Sequence, residues 1–92
     1  MKKPELAAAV AAQTGMTRNT AGETISIVLD QITDALARGE QVTLPGFGSF
    51  RPVSRAARTG VNPQTGATLH IAASKSASFR AGKALKEAIA GN

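Results

Sequence analysis

Arg55 and Arg58 stand three residues apart and lead into Asn62-Pro63-Gln64-Thr65-Gly66, a run of turn-forming residues. Guanidinium groups placed along a hairpin suit a polyanion, because they stay charged and donate several hydrogen bonds to phosphate. Pro63 falls at the tip of the turn, where it has no N–H to satisfy and carries a rigid apolar ring. Such a ring can enter between base pairs as a wedge. Asn62 and Gln64 flank it as candidate contacts. From Arg55 to Pro63 a strand would reach roughly 26 Å at ~3.3 Å per residue, several times the ~6 Å width of a minor groove. The segment holds few large apolar residues, so it reads as an arm that leaves the body of the protein.

The distribution of charge supports this reading. Residues 1–50 hold Lys2, Lys3, Arg18 and Arg38 against Glu5, Glu23, Asp30, Asp34 and Glu40. Residues 51–92 hold Arg51, Arg55, Arg58, Lys75, Arg80, Lys83 and Lys86 against Glu87 alone. The whole excess of +5 therefore sits in the second half, which favours nucleic acid as partner. A basic membrane-surface helix is a poorer account, since part of this charge lies on strand-like sequence and there is no Trp or Tyr to anchor at an interface. Arg80, Lys83 and Lys86, spaced by three, read as one helix face turned to phosphate. No signal peptide or apolar span is legible, so a cytoplasmic protein without a membrane partner is expected.

Catalysis finds no support. His70 is the single histidine and there is no cysteine, so no metal centre or nucleophilic pair can be assembled from them. His70 reads as a strand-surface residue. Gly46-Phe47-Gly48 resembles a phosphate loop only in its glycines: it lacks Gly-Lys-Ser/Thr and leads into a strand. No cofactor is implied, and the protein reads as a non-enzyme.

The elements that must carry the arm follow from periodicity. Pro4 and Glu5 open a first helix and Gly15 closes it. Thr17 caps a second helix over about 18–38, in which Ala21, Ile25, Val28, Leu29, Ile32 and Leu36 recur at spacings of three and four. Its opposite face carries Glu23, Ser26, Asp30, Thr33 and Asp34, so this helix pair is not a groove reader. After Gly39 the period becomes two. Val42 and Leu44 mark one strand, residues 47–55 a second, and residues 67–74 a third. Pro52 places its part of the second strand at an edge or a bend. Residues from Gly82 to about Ala90 form a terminal helix, with Ala84, Leu85, Ala88 and Ile89 inward. The fold class is α+β, in the order α-α-β-β-β-α: two N-terminal helices, a three-stranded antiparallel sheet with a protruding β-hairpin arm, and a short C-terminal helix.

Ninety-two residues make one domain at most. With the arm set aside, roughly seventy residues bury only about 60% of their unfolded surface. Without disulfides or metal, association is the remaining route to stability, most simply as an intertwined two-fold dimer. Phe47, Phe50 and Phe79, the three aromatics, belong to the core.

Gly46-Phe47-Gly48-x-Phe50, Arg55-x-x-Arg58-x-Gly60-x-Asn62-Pro63-x-Thr65-Gly66 and Phe79-x-Ala81-Gly82-Lys83-x-Leu85-Lys86 together resemble the signature of the bacterial histone-like HU family, which includes integration host factor. The resemblance extends over nearly the whole chain. It implies a single domain over 1–92: a helical dimerisation base (1–39), a sheet (40–82) bearing a DNA-binding arm over about 54–75, and a C-terminal helix (83–92). It also implies a dimer, of identical chains or with a paralogue, whose two arms embrace duplex DNA. Phe47, Phe50 and Phe79 then match the shared dimer core. Arg55 and Arg58 match residues that follow the backbone and minor groove, and Pro63 the intercalating tip. Lys3, Lys75, Arg80, Lys83 and Lys86 match positions that hold flanking phosphates, and Arg51 adds charge on the strand face of Val53. HU and integration host factor are themselves described as inserting apolar wedges in the minor groove, so that role comes with the resemblance as well as from the residue. This sequence departs from the family pattern at Val53 and Val61, often basic, and at Ala77, commonly proline. The implied function is architectural: a nucleoid-associated protein that bends or compacts DNA with little sequence specificity, favouring bent, nicked or gapped duplex. Site-specific bending, and a hairpin edge that recruits protein by strand addition, are the alternatives.

Overall fold

The computed structural model describes residues 1–91. The helix expected over 83–92 thus ends, at Asn92, outside the described residues. The chain divides into two compact units, the first Met1–Ala35 and the second beginning at Leu36.

In the first unit, α1 (Lys3–Thr14) carries Pro4 in its first turn, and the Glu5 carboxylate accepts the backbone N–H of Lys2. Gly15 closes the helix in the left-handed conformation at φ 81°, its N–H donating to the Ala11 carbonyl at 3.0 Å. α2 (Arg18–Ala37) begins as expected: the Thr17 hydroxyl accepts the Thr20 N–H at 3.1 Å. Small residues set the approach of the two helices. A methyl group at Gly22 would stand 3.9 Å from the Ala7 Cβ, and Ala7 and Ala21 are buried.

The expected apolar stripe of α2 is only partly covered. Ile25, Ile32 and Leu36 are half-buried, whereas Val28 and Leu29 remain about half exposed, as does Ile27. One short partner helix cannot cover so wide a face.

The second unit is a sheet, its arm and a short helix. β1 (Val42–Leu44), β2 (Gly48–Arg55) and β5 (Ser74–Ala81) form an antiparallel sheet in the order β1-β2-β5. β3 (Arg58–Val61) and β4 (Thr68–Ile71) form a separate two-stranded sheet. Five strands thus replace the three expected from periodicity, because the hairpin is interrupted. Arg55 faces Ser74, and Arg58 faces Ile71, with Ala56-Ala57 and Ala72-Ala73 outside either ladder. Three residues separate the pairs on each strand, so the register is unchanged across this four-alanine neck. Alanine offers little cross-strand packing to hold a ladder there.

Pro52 stands opposite Ala77 in an unbroken β2–β5 register. β1 reaches only as far as Phe50, so at Pro52 the β2 strand has a neighbour on one side only. This is the local edge that a residue without an N–H requires.

α3 (Lys83–Ala90) is tied to the β1–β2 turn by two bonds: Gly82 N–H donates to the Phe47 carbonyl at 2.7 Å and Leu85 N–H to the Gly46 carbonyl at 3.1 Å. A side chain at Gly82 would stand 3.1 Å from the Gly46 and Phe47 backbone, which explains the glycine. The expected inward packing of α3 is corrected: only Leu85 is half-buried, and Ile89 is 78% exposed.

Among the described residues the buried apolar side chains are Ala7, Ala21 and Ala35, and no large side chain is fully buried. Phe47, Phe79, Leu6 and Leu44 each keep two-fifths or more of their surface open. A single chain therefore has apolar faces but no closed core. No helix among the described residues is long and apolar enough to cross a membrane.

Candidate nucleic-acid interface

Residues directly opposed in an antiparallel ladder point to the same side of the sheet. The β2–β5 register therefore sorts the candidate residues. Ser49, Arg51, Val53 and Arg55 of β2 share one face with Arg80, Ser78, Ser76 and Ser74 of β5. The Ser49 hydroxyl donates to the Thr43 hydroxyl of β1 at 3.3 Å, which places Thr43 there too. Three guanidiniums among hydroxyls make this a basic, hydrogen-bonding face.

The other face carries Phe50, Pro52, Ala77, Phe79 and Ala81. Phe79 gathers the aromatics: its ring centroid lies 4.8 Å from Phe50 and 5.6 Å from Phe47. Segregation of arginine from phenylalanine follows from the strict alternation of the two strands.

Two expectations about the charges change. Arg80 is the penultimate residue of β5, so it shares the sheet face with Arg51 rather than a helix face with Lys83 and Lys86. The spacing of three that linked them in sequence spans a change of element at Gly82. Lys75 faces Ser54, on the side opposite Arg51, Arg55 and Arg80, at the arm end of the apolar face.

Lys83 and Lys86 are on α3. Lys83 lies 3.9 Å from Glu87 in an exposed pair, which is worth little and leaves the ammonium free to exchange partners. Among the described residues no carboxylate lies within ion-pair distance of Arg51, Arg55, Arg58, Lys75, Arg80 or Lys86. Lys3 belongs to the helical unit, where its ammonium donates to the Ser26 hydroxyl of α2.

The arm ends in a tight, self-bonded turn. Gly66 N–H donates to the Asn62 carbonyl at 2.7 Å, and Asn62 N–H to the Ala67 carbonyl at 2.8 Å. The Asn62 Oδ1 accepts the Gln64 N–H at 2.9 Å, so this side chain builds the turn with its oxygen. Gly66 takes φ 73°, open to glycine at no steric cost. Pro63 and Gln64 are exposed at the tip. Along the arm, Arg58, Gly60, Leu69 and Ile71 share one face, with Ile71 over Gly60, while Thr59, Val61, Thr68 and His70 share the other.

Sequence reasoning missed the hydroxyls. Ser74, Ser76 and Ser78 alternate in step with Arg80, and that period of two is the signal that places them on the basic face.

Comparison with known proteins identifies the family and the fold. Residues 1–90 match the family described as bacterial DNA-binding protein. DNA-binding protein HU-alpha of Pseudomonas aeruginosa is 49% identical over 89 residues, covering 97% of this chain and 99% of that one. DNA-binding protein HU of Staphylococcus aureus has the same identity and coverage. Among solved structures, an Anabaena HU–DNA cocrystal superposes with a TM-score of 0.84 at 39% identity, over 100% of both chains. HU from Thermotoga maritima superposes with a TM-score of 0.67 at 31% identity, over 97% of this chain and 98% of that one. This chain belongs to the bacterial DNA-binding protein family, among the HU proteins.

Proposed function

We propose that two copies of this chain form a dimer that grips duplex DNA between its arms and bends it with little sequence specificity. The observation that carries this reading is the separation of roles in the second unit. Arg51, Arg55 and Arg80 occupy one sheet face, the phenylalanines occupy the other, and an arm ends in exposed Pro63. The half-exposed apolar residues of the single chain are the surface a second chain covers. Phe47, Phe50 and Phe79 form the centre of that shared core. The partner is an identical chain or a paralogue.

On DNA, Arg51, Arg55, Arg58 and Arg80, with Lys3, Lys75, Lys83 and Lys86, neutralise phosphates and release counterions. Pro63 enters a base step, with Asn62 and Gln64 beside it. The seven basic side chains of the second half become fourteen in a dimer. With about half of them on phosphate, the logarithm of the affinity falls against that of salt with a slope of about −6. Unstacking costs a few kcal/mol per step and bending about 1 to 6 kcal/mol more. Nicked, gapped or already bent duplex lowers both costs and is the preferred substrate. The protein acts without catalysis, in the cytoplasm, as a component of the nucleoid.

A salt-titrated binding assay on intact, nicked and bent duplex, with the mass of the free protein measured alongside, tests this reading. Tighter binding to nicked DNA with a steep salt slope, by a dimer, is the expected result. Equal affinity for all three duplexes at matched salt, or a monomer that binds, overturns it.

A further inference from the structure

We propose that Thr43 is a further DNA contact: its hydroxyl, turned outward by Gln41 and Ser49, donates to a backbone phosphate held beside Arg51 and Arg80. This rests on the DNA-binding reading above. It adds a neutral residue that fixes a phosphate at the end of the basic face away from the arm.

Three strands bring the group together. Thr43 of β1 stands opposite Ser49 of β2, and Ser49 stands opposite Arg80 of β5, so one row crosses the sheet on the basic face. Arg51 lies two residues along β2 and shares that face. These four residues, with Gln41, line one open concavity. From Gln41 to Lys86 the sequence contains no Asp or Glu. Glu40, next to Gln41 in the chain, is paired with Arg38.

A hydroxyl oxygen has two lone pairs and one proton. The Thr43 Oγ1 accepts the Gln41 side-chain amide at 3.3 Å and the Ser49 hydroxyl at 3.3 Å. Both lone pairs are engaged, so the Thr43 proton is left to donate to a third group. Arg51 and Arg80 only donate, and Ser49 has given its own proton to Thr43. A phosphodiester is the complement of this set: it is anionic, and its free oxygens only accept. Thr43 sets the position of the phosphate, and the guanidiniums supply the charge.

A neutral hydroxyl releases no counterion, so its effect separates from that of the arginines. It changes affinity and leaves the salt slope unchanged. A phosphate contact carries no sequence information, so its loss is equal on duplexes of different sequence. Hydrogen bonds to charged groups are the stronger class. At about threefold per site, the two sites of a dimer amount to on the order of tenfold in affinity.

The test compares the full-length protein with Thr43→Val, Thr43→Ser and Ser49→Ala on two nicked duplexes of different sequence, each titrated in salt. Valine keeps the branched shape that suits a strand and removes the hydroxyl. The expected result is binding about tenfold weaker in Thr43→Val, on both duplexes and at the native salt slope. Thr43→Ser should bind as the native protein does, and Ser49→Ala should fall between. Native affinity in Thr43→Val, or a loss confined to one duplex, overturns the phosphate contact. If Thr43→Val does not fold, native affinity in Ser49→Ala overturns it instead. Saturable binding of inorganic phosphate at Thr43, followed by NMR and not displaced by duplex, overturns the assignment to the DNA backbone. Absence of DNA binding by the native protein at every salt concentration overturns the function on which the inference rests.

Discussion

Phe50 and Phe79 face each other across the β2–β5 ladder with ring centroids 4.8 Å apart, yet Phe79 keeps 43% of its surface open. A tilted aromatic pair of this kind belongs in a dry interior. The ring is packed from beneath by its own chain and awaits cover from above.

Phe79→Ala therefore removes both the pair and the surface it offers. The loss should be about 3 to 5 kcal/mol per site, and it should appear as dissociation of the dimer. Sedimentation and thermal unfolding over a range of protein concentration check this: the native midpoint should rise with concentration, and the variant should unfold at a much lower temperature.

Gly48→Ala should be damaging without touching any charge. A methyl group there would lie 2.5 Å from the Arg80 carbonyl and from the Phe79 ring. Overpacking of this order costs about 1 to 3 kcal/mol or more. Denaturant unfolding should show a lower midpoint, while Gly66→Asn, at an open left-handed position, should change it little.

Pro63→Ala should separate bending from binding. The turn holds itself through Asn62, Gly66 and Ala67, so the arm keeps its shape when the ring is lost. Energy transfer between duplex ends should report a smaller bend, with affinity reduced by less than tenfold. Unchanged bending would exclude the wedge.

Arg80→Ala and Arg55→Ala should each flatten the salt slope by about 1.8, two phosphates per dimer at ~0.9 each. The folded structure should persist, because neither side chain holds an ion pair among the described residues.

Much of this was legible in the sequence. Thr17 and Gly15 mark helix ends through side-chain and backbone chemistry that acts within four residues, and both stand where expected. The tip turn was equally plain from Asn62 to Gly66. What stayed hidden depends on partners far apart in the chain. Arg80 looked like part of a helix face because only the pairing with Ser49 places it on the sheet. Ile89 looked like core because its apolar character was clear, but one chain does not supply its cover. The break at Ala56-Ala57 and Ala72-Ala73 was invisible, since each pair continues the strand pattern on its own side and only their opposition weakens the ladder.

That neck also makes the arm's length adjustable in units of two. Removing two residues from each strand shortens the reach by roughly 6.6 Å at ~3.3 Å per residue and keeps Arg58 on the side it now occupies. Removing one from each preserves pairing but turns the arm over, presenting Thr59 and His70 where Arg58 and Ile71 had been. The four alanines thus act as a spacer whose parity decides which residues of the arm stand on each side of the hairpin, while its length decides how far the tip extends.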